Sequence, residues 1–278
     1  MTFKDILVYA DGNSAAAGRL DVACNLAQLH GAHLTALHAR LPPFFAFDMA
    51  LGTNEIVMRW QEEYRQEAER QARKAVEAAT SRNGVSIDLR VMHVDSVAAL
   101  QHLARVTDLV VLSQGRTPVN SPEAFDFIPT PEEVVMRLPC PLLVVPRQGN
   151  SAAPGRRIVV GWKSSRESAR AVRDALPLLV KADTVTVVEV REEEDEAYLS
   201  PGSDLAVHLS RHGVHAELVT VRGVDAAAGE LLLAEVARLK ADLLVTGAYG
   251  HSRLKELVLG GVTRHLMRNS PVPVFFSH

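Results

Sequence analysis

A chain of 278 residues, 47% hydrophobic and 23% charged, is long enough for two ordinary globular domains and apolar enough to bury a core in each. A formal net charge of −3 argues against a partner held by phosphate attraction, and no apolar run reaches the ~20 residues of a membrane helix, so neither a nucleic-acid nor a membrane partner is expected. Cys24 and Cys140 have no zinc-ligand spacing, the 11 histidines read as surface or core side chains, and the N-terminus enters a strand-like run at once, which together predict a cytoplasmic protein without a signal peptide or metal site.

Residues 5–10 (DILVYA) read as a buried strand, and the turn Asp11-Gly12-Asn13-Ser14 after it can cap a helix. Residues 15–29 carry Leu20, Ala23, Cys24 and Ala27 at helical spacing and stop at Gly31. A second strand at 33–38 completes a β-α-β unit, which predicts parallel strands joined by a right-handed crossover. Residues 41–52 hold two prolines and clustered aromatics without a period, and 42–51 is read as a loop that folds over its own domain or makes a contact within an assembly, in preference to a lid. A long helix over 54–82 places opposite charges three or four residues apart, the pattern of a solvated face. There follow an alternating strand at 85–93, a helix at 97–106, a buried strand at 108–113, a loop broken by prolines, a short helix at 132–138 and a strand at 142–146.

Residues 148–155 (QGNSAAPG) form a small-residue linker, and after it the chain repeats itself. Residues 157–162 match 5–10, 165–180 match the first helix, 184–190 match the second strand, 214–221 match 85–92, 242–246 match 108–112 and 271–276 match 139–144. Asp108 to Pro141 is 33 residues and Asp242 to Pro273 is 31, so the copies run in step through their last thirds. The prediction is two copies of one α/β unit, over 1–148 and 154–278, each with five strands alternating with helices. Open parallel sheets bind ligands at the carboxyl ends of their strands, so the residues after the first and fourth strands of each copy should face a crevice.

The strand at 242–246 opens into Gly247-Ala-Tyr249-Gly250, and a helical pattern starts near Thr263 after Gly260-Gly261-Val262. Glycine lets backbone come close to a ligand, and a helix start offers unpaired N–H groups and partial positive charge, which makes an anion cradle. This G-x2-G-x9-G run resembles the nucleotide motif of the universal stress protein family, and the resemblance covers nearly the whole chain in that family's tandem form. It implies two tandem Rossmann-like α/β domains, each a five-stranded parallel sheet flanked by helices. It also implies a cytoplasmic stress-response role, ATP as ligand with or without magnesium, and pairing of the two domains through their last strands, a further homodimer being left open.

Carried onto this chain, the resemblance implies that Gly247 and Gly250 let the backbone pass close to the nucleotide, with Tyr249 between them beside the ribose or covering the loop. Gly260, Gly261, Val262 and Thr263 would face the triphosphate, Val190 the adenine, and Gly223 would give the base room. Two positions depart from the family. Gly261 stands where a Ser or Thr hydroxyl is usual, and Lys163 stands where an acid follows the first strand. An ammonium accepts no hydrogen bond, so Lys163 either reaches a phosphate or marks a pocket for another anion or for none. The first half keeps Asp11 but has Ser113 and Arg116 for Gly247 and Gly250, and Ile128 and Pro129 for Gly260 and Gly261. Proline has no N–H to offer a phosphate, so the first half is expected to be a structural partner.

Three functions are weighed: a nucleotide-binding stress protein, a non-catalytic dimerisation or interaction module with no nucleotide or another small ligand, and an enzyme. No triad order, catalytic cysteine setting or metal cluster supports the third, so no catalytic residue is named and weak ATP hydrolysis is the most that is expected. His251, Arg253 and Lys255 read equally well as phosphate contacts or as a solvated loop.

Overall fold

A computed structural model describes residues 2–39, 55–115, 129–148, 153–192, 201–224, 227–249 and 261–278. The first domain runs β1 (Asp5–Tyr9), α1 (Ala16–His30), β2 (His33–Ala39), α2 (Glu55–Asn83), β3 (Asp88–Met92), α3 (Ser96–Leu103), β4 (Leu109–Ser113), α4 (Pro131–Val134) and β5 (Leu142–Val145). The second runs β6 (Arg157–Trp162), α5 (Arg166–Leu179), β7 (Thr184–Arg191), α6 (Pro201–Arg211), β8 (Ala216–Arg222), α7 (Ala228–Arg238), β9 (Leu243–Gly247), α8 (Gly261–Asn269) and β10 (Val274–Ser277). The predicted repeat is thus a repeat of structure. The aromatic segment 42–51 lies outside the described residues.

Where boundaries differ from the sequence reading, local chemistry accounts for it. The predicted helix over 97–106 tightens after Leu103 into a 3-10 turn at Ala104–Val106. The one predicted over 132–138 starts earlier, because Pro131 suits the first helical position and Thr130 and Glu133 form a reciprocal capping box.

All ten strands form one sheet, in the order β3-β2-β1-β4-β5-β10-β9-β6-β7-β8. Pairing is parallel within each domain. At the seam β5 and β10 are antiparallel, with Val274 opposite Val144, Phe275 opposite Leu143 and Phe276 opposite Leu142. The expected pairing of the domains through their last strands is therefore made within the chain, about a pseudo-two-fold axis through Leu143 and Phe275. Phe275 and Phe276 are fully buried, one in the core on each face of the sheet. Burial of side chains this size contributes about 1.5–3 kcal/mol each, so the seam is a hydrophobic core in its own right.

Helices cover both faces, which is why the central strands are apolar on both sides. The core on one face is closed by α1, α2, α5 and α6, and that on the other by α3, α4, α7 and α8. Each domain also anchors its first strand in the same way. Asp108 accepts from the N–H groups of Lys4 and Asp5, and Asp242 from those of Gly155, Arg156 and Arg157. This layout leaves the carboxyl ends of β1, β2 and β4 in the first domain, and of β6, β7 and β9 in the second, as two crevices of common descent.

Candidate functional site

In the first domain the crevice is taken up by the protein's own charges. Arg19, on α1, is 1% exposed and points at the carboxyl end of β1. Its Nη2 lies 3.0 Å from Asp11 Oδ2, its Nε donates to Tyr9 O at 2.7 Å and its Nη1 to Ser113 Oγ at 2.8 Å. One guanidinium thus ties together the ends of β1 and β4 and the acid between β1 and α1. Beside it His38 Nδ1 lies 3.0 Å from Ala10 O, and Tyr9 donates to Ala39 O at 2.6 Å. A side chain at Gly12 would collide with Gln71 of α2, its Cβ only 2.6 Å from that of Gln71. Asp11, the acid kept at the family position, is spent on Arg19. The sequence reading missed Arg19. The signal was present, an arginine among the apolar residues of a largely buried helix, eight residues after an acid at a strand end. Arg116 and Ile128 lie outside the described residues.

Among the described residues the second domain lacks this arginine pair, though Glu189, 5% exposed, sets a buried carboxylate near the end of β7. Ala171, buried on α5, stands where α1 has Arg19, and Gly247 stands where β4 has Ser113. Lys163, after β6, is exposed, with its carbonyl accepting from Ser165 N–H as α5 begins. Ser165 caps α5 by accepting from Ser168 N–H at 3.2 Å. Val190, half-buried near the end of β7, packs on the core shared with α7 and α8. Gly261 opens α8 and is exposed, and a Cβ there would meet nothing within 4 Å. Val262 is half-buried. Thr263 is buried and its Oγ1 accepts from Tyr249 N–H at 3.4 Å, tying the end of β9 to the start of α8. Tyr249 has φ +67, a left-handed conformation unusual for a bulky side chain. Burial, reinforced by the Glu132 carboxylate across the seam, pushes its phenol up to about 12, and its hydroxyl has no hydrogen-bond partner among the described residues. The same holds for Trp162 Nε1 at the end of β6. Gly250 and Gly260 lie outside the described residues.

The structure therefore brings Gly247, Tyr249, Val262 and Thr263 together, with Lys163 on the adjoining strand end. Gly223 lies apart from these four and beside Val190, its N–H donating to Arg191 O at 2.9 Å. Gly223 follows the edge strand β8, three strands from β9 and so roughly 14 Å away across the sheet. The space beside it that would receive a side chain belongs to Leu231 of α7.

Gly247 is also explained from within the protein. A Cβ there would lie 2.6 Å from the backbone of both Glu167 and Ser168, so only glycine lets β9 close on the first turn of α5. Gly247→Ala is expected to cost about 1–3 kcal/mol, because backbone rather than a rotatable side chain must yield. Urea unfolding of the variant, unchanged in midpoint, would show that α5 can shift freely.

Comparison with known proteins agrees with this architecture. A family model described as the universal stress protein family matches residues 2–146 and again 155–278. The chain belongs to the universal stress protein family. Universal stress protein Slr1230 of Synechocystis sp. is 25% identical over 146 residues, 51% of this chain and 48% of that protein, so the chain spans about half the length of the curated relative it matches. A universal stress protein from Archaeoglobus fulgidus superposes with a TM-score of 0.70 at 15% identity, covering 98% of this chain and 96% of its own. A protein of unknown function from Pseudomonas aeruginosa PAO1 superposes at 0.54 with 17% identity, covering 99% and 92%. At these identities the structures speak for the fold, a tandem pair of universal stress protein domains.

Proposed function

We propose that this tandem universal stress protein is a cytoplasmic stress-response protein that binds a nucleotide of the ATP class, with or without magnesium, in the crevice of its second domain. The first domain then serves as its structural partner. The observation that carries this reading is the asymmetry of the two crevices. One already holds a buried guanidinium paired with Asp11 and donating to Tyr9 O and Ser113 Oγ, whereas the other has alanine and glycine at the matching positions. In the second crevice the exposed start of α8 offers N–H groups and the positive end of the helix dipole to a phosphate, and Lys163 supplies an ammonium on the neighbouring strand.

A second reading, an interaction module that binds no nucleotide, draws support from Gly247 and Gly223, whose adjoining space is filled by the protein itself. Two measurements separate the two. The protein is purified without added nucleotide, denatured, and its supernatant analysed for ATP or ADP, and the native protein is titrated calorimetrically with MgATP. Gly261→Val is the informative variant, because the position is open and the fold should tolerate it while a branched side chain blocks the helix start. Binding by the parent chain and at least a tenfold loss in the variant are expected. Absence of both co-purified nucleotide and heat at millimolar MgATP leaves the interaction module as the function.

A further inference from the structure

The pseudo-two-fold symmetry that relates the domains is broken in the seam at Gly18 and Arg170. Gly18 on α1 and Arg170 on α5 are equivalent, each seven residues beyond the end-of-strand position held by Asp11 or Lys163. Arg170 reaches across to the first domain and donates from Nη2 to Pro139 O at 3.2 Å, in the turn before β5. On the other side of the axis Gly18 has nothing to reach with, and a Cβ on it would meet nothing within 4 Å. That side holds a cavity of ≈ 450 Å³, lined by Gly18 and by the turn Pro271–Pro273 before β10. Its volume is that of a small-molecule site.

The open side is also the cationic one. Arg147, Arg156, Arg157 and Lys240 line it, against a single acid, Asp242. The oxygens of Asp242 already accept three backbone N–H groups, and Arg156 also pairs with Asp183. At the equivalents of Arg156, Arg157 and Lys240 the filled side has Lys4, Asp5 and Val106. Pro146, Pro154 and Val272 give the cavity an apolar wall. Lys240 adds an independent sign. It sits just beyond the C-terminus of α7 with φ +50, a left-handed conformation that glycine adopts after α1, α2 and α6, at Gly31, Gly84 and Gly213. A lysine held there at a conformational cost, on the wall of a cavity, is a residue kept for its ammonium.

We propose that this seam cavity binds a small organic anion, a carboxylate or phosphate ester carried on an apolar body. The guanidinium groups and Lys240 hold the anionic end, with the planar fork of arginine suited to its paired oxygens. The site faces the amino ends of β6, β9 and β10, away from the crevice at the carboxyl ends of β6, β7 and β9, so its fate is independent of nucleotide binding.

Calorimetric titration of the full chain with phenyl phosphate, up to about 10 mM, tests the proposal. Saturable binding is expected, weaker at high salt and tighter than that of inorganic phosphate. Gly18→Arg, which rebuilds the contact made by Arg170, should lower the affinity at least tenfold, as should Lys240→Gly, and neither should lower the unfolding temperature. Gly261→Val, which blocks the crevice at the start of α8, should leave the affinity for the probe unchanged. No saturable heat from the parent chain, or affinity unchanged in both cavity variants, overturns the proposal; equal affinity for inorganic phosphate overturns its apolar part, and weakened probe binding in Gly261→Val its independence from the crevice.

Discussion

Arg19→Met is expected to lower the unfolding free energy by about 3–5 kcal/mol, the usual result of removing one partner from a buried ion pair. Methionine is close in length and apolar, so it fills the space on α1. What it cannot do is neutralise Asp11, which is 4% exposed and has Arg19 as its ion-pair partner, or donate to Tyr9 O and Ser113 Oγ. The buried carboxylate then either keeps its charge without a counter-ion or takes up a proton, and both are unfavourable. The paired variant Arg19→Met/Asp11→Ala should recover much of the loss, because with both charges gone no buried ion remains. The recovery, read from urea unfolding of the four proteins, measures the coupling of the pair and is expected to exceed about 2 kcal/mol. A single-variant cost below about 1 kcal/mol would mean that water or another cation reaches Asp11. The first crevice would then be an open site.

Arg19 also shows how far the sequence reading could go. The architecture was legible because it rests on repetition. The pairs 5–10 with 157–162 and 108–112 with 242–246 share buried strand chemistry, and Asp108 and Asp242 anchor the first strand of each domain in the same way. The decay of the first crevice was legible at Pro129 and Ser113, through what those residues cannot donate or cannot leave open. Its replacement by Arg19 was only half legible: Asp11 and Arg19 stand eight residues apart, but residues 19 and 113 lie far apart in the chain and meet only once β4 is laid beside β1. For the same reason Gly247 read as room for a ligand. That Glu167 and Ser168 stand against it depends on the placement of α5, which no local pattern encodes. The join of β5 and β10 was expected from the family resemblance and not from periodicity, and its antiparallel direction was not expected, since a four-residue apolar strand carries no mark of its partner's direction.

The seam should also make the protein sensitive to acid through His30, the last residue of α1. His30 is 4% exposed, packs against Phe3 with ring centroids 4.9 Å apart and planes tilted by 52°, and has no hydrogen-bond partner at either ring nitrogen among the described residues. A histidine at a helix C-terminus is ordinarily favoured in its charged form by the dipole. Here that role is filled by Lys181 of the second domain, whose ammonium donates to Leu29 O at 3.0 Å. Burial first, and the Lys181 charge second, push the imidazole down to about 4. The unfolded chain, with an ordinary histidine near 6.5, therefore binds the extra proton first as pH falls. The contribution of neutral His30 is complete above about pH 6.5 and is lost as pH drops through the interval down to about 4, amounting to about 2.5 kcal/mol by pH 4.5. His30→Leu has no proton to gain, so its unfolding free energy should fall less than that of the parent chain between pH 7 and pH 4.5, by about that amount. Equal acid sensitivity in the two proteins would show that His30 is charged, or solvated, in the folded seam. The expected difference would make the join between α1 and Lys181 the part of the seam that acid weakens, because a protonated His30 would place a second cation beside the one that already holds the helix end.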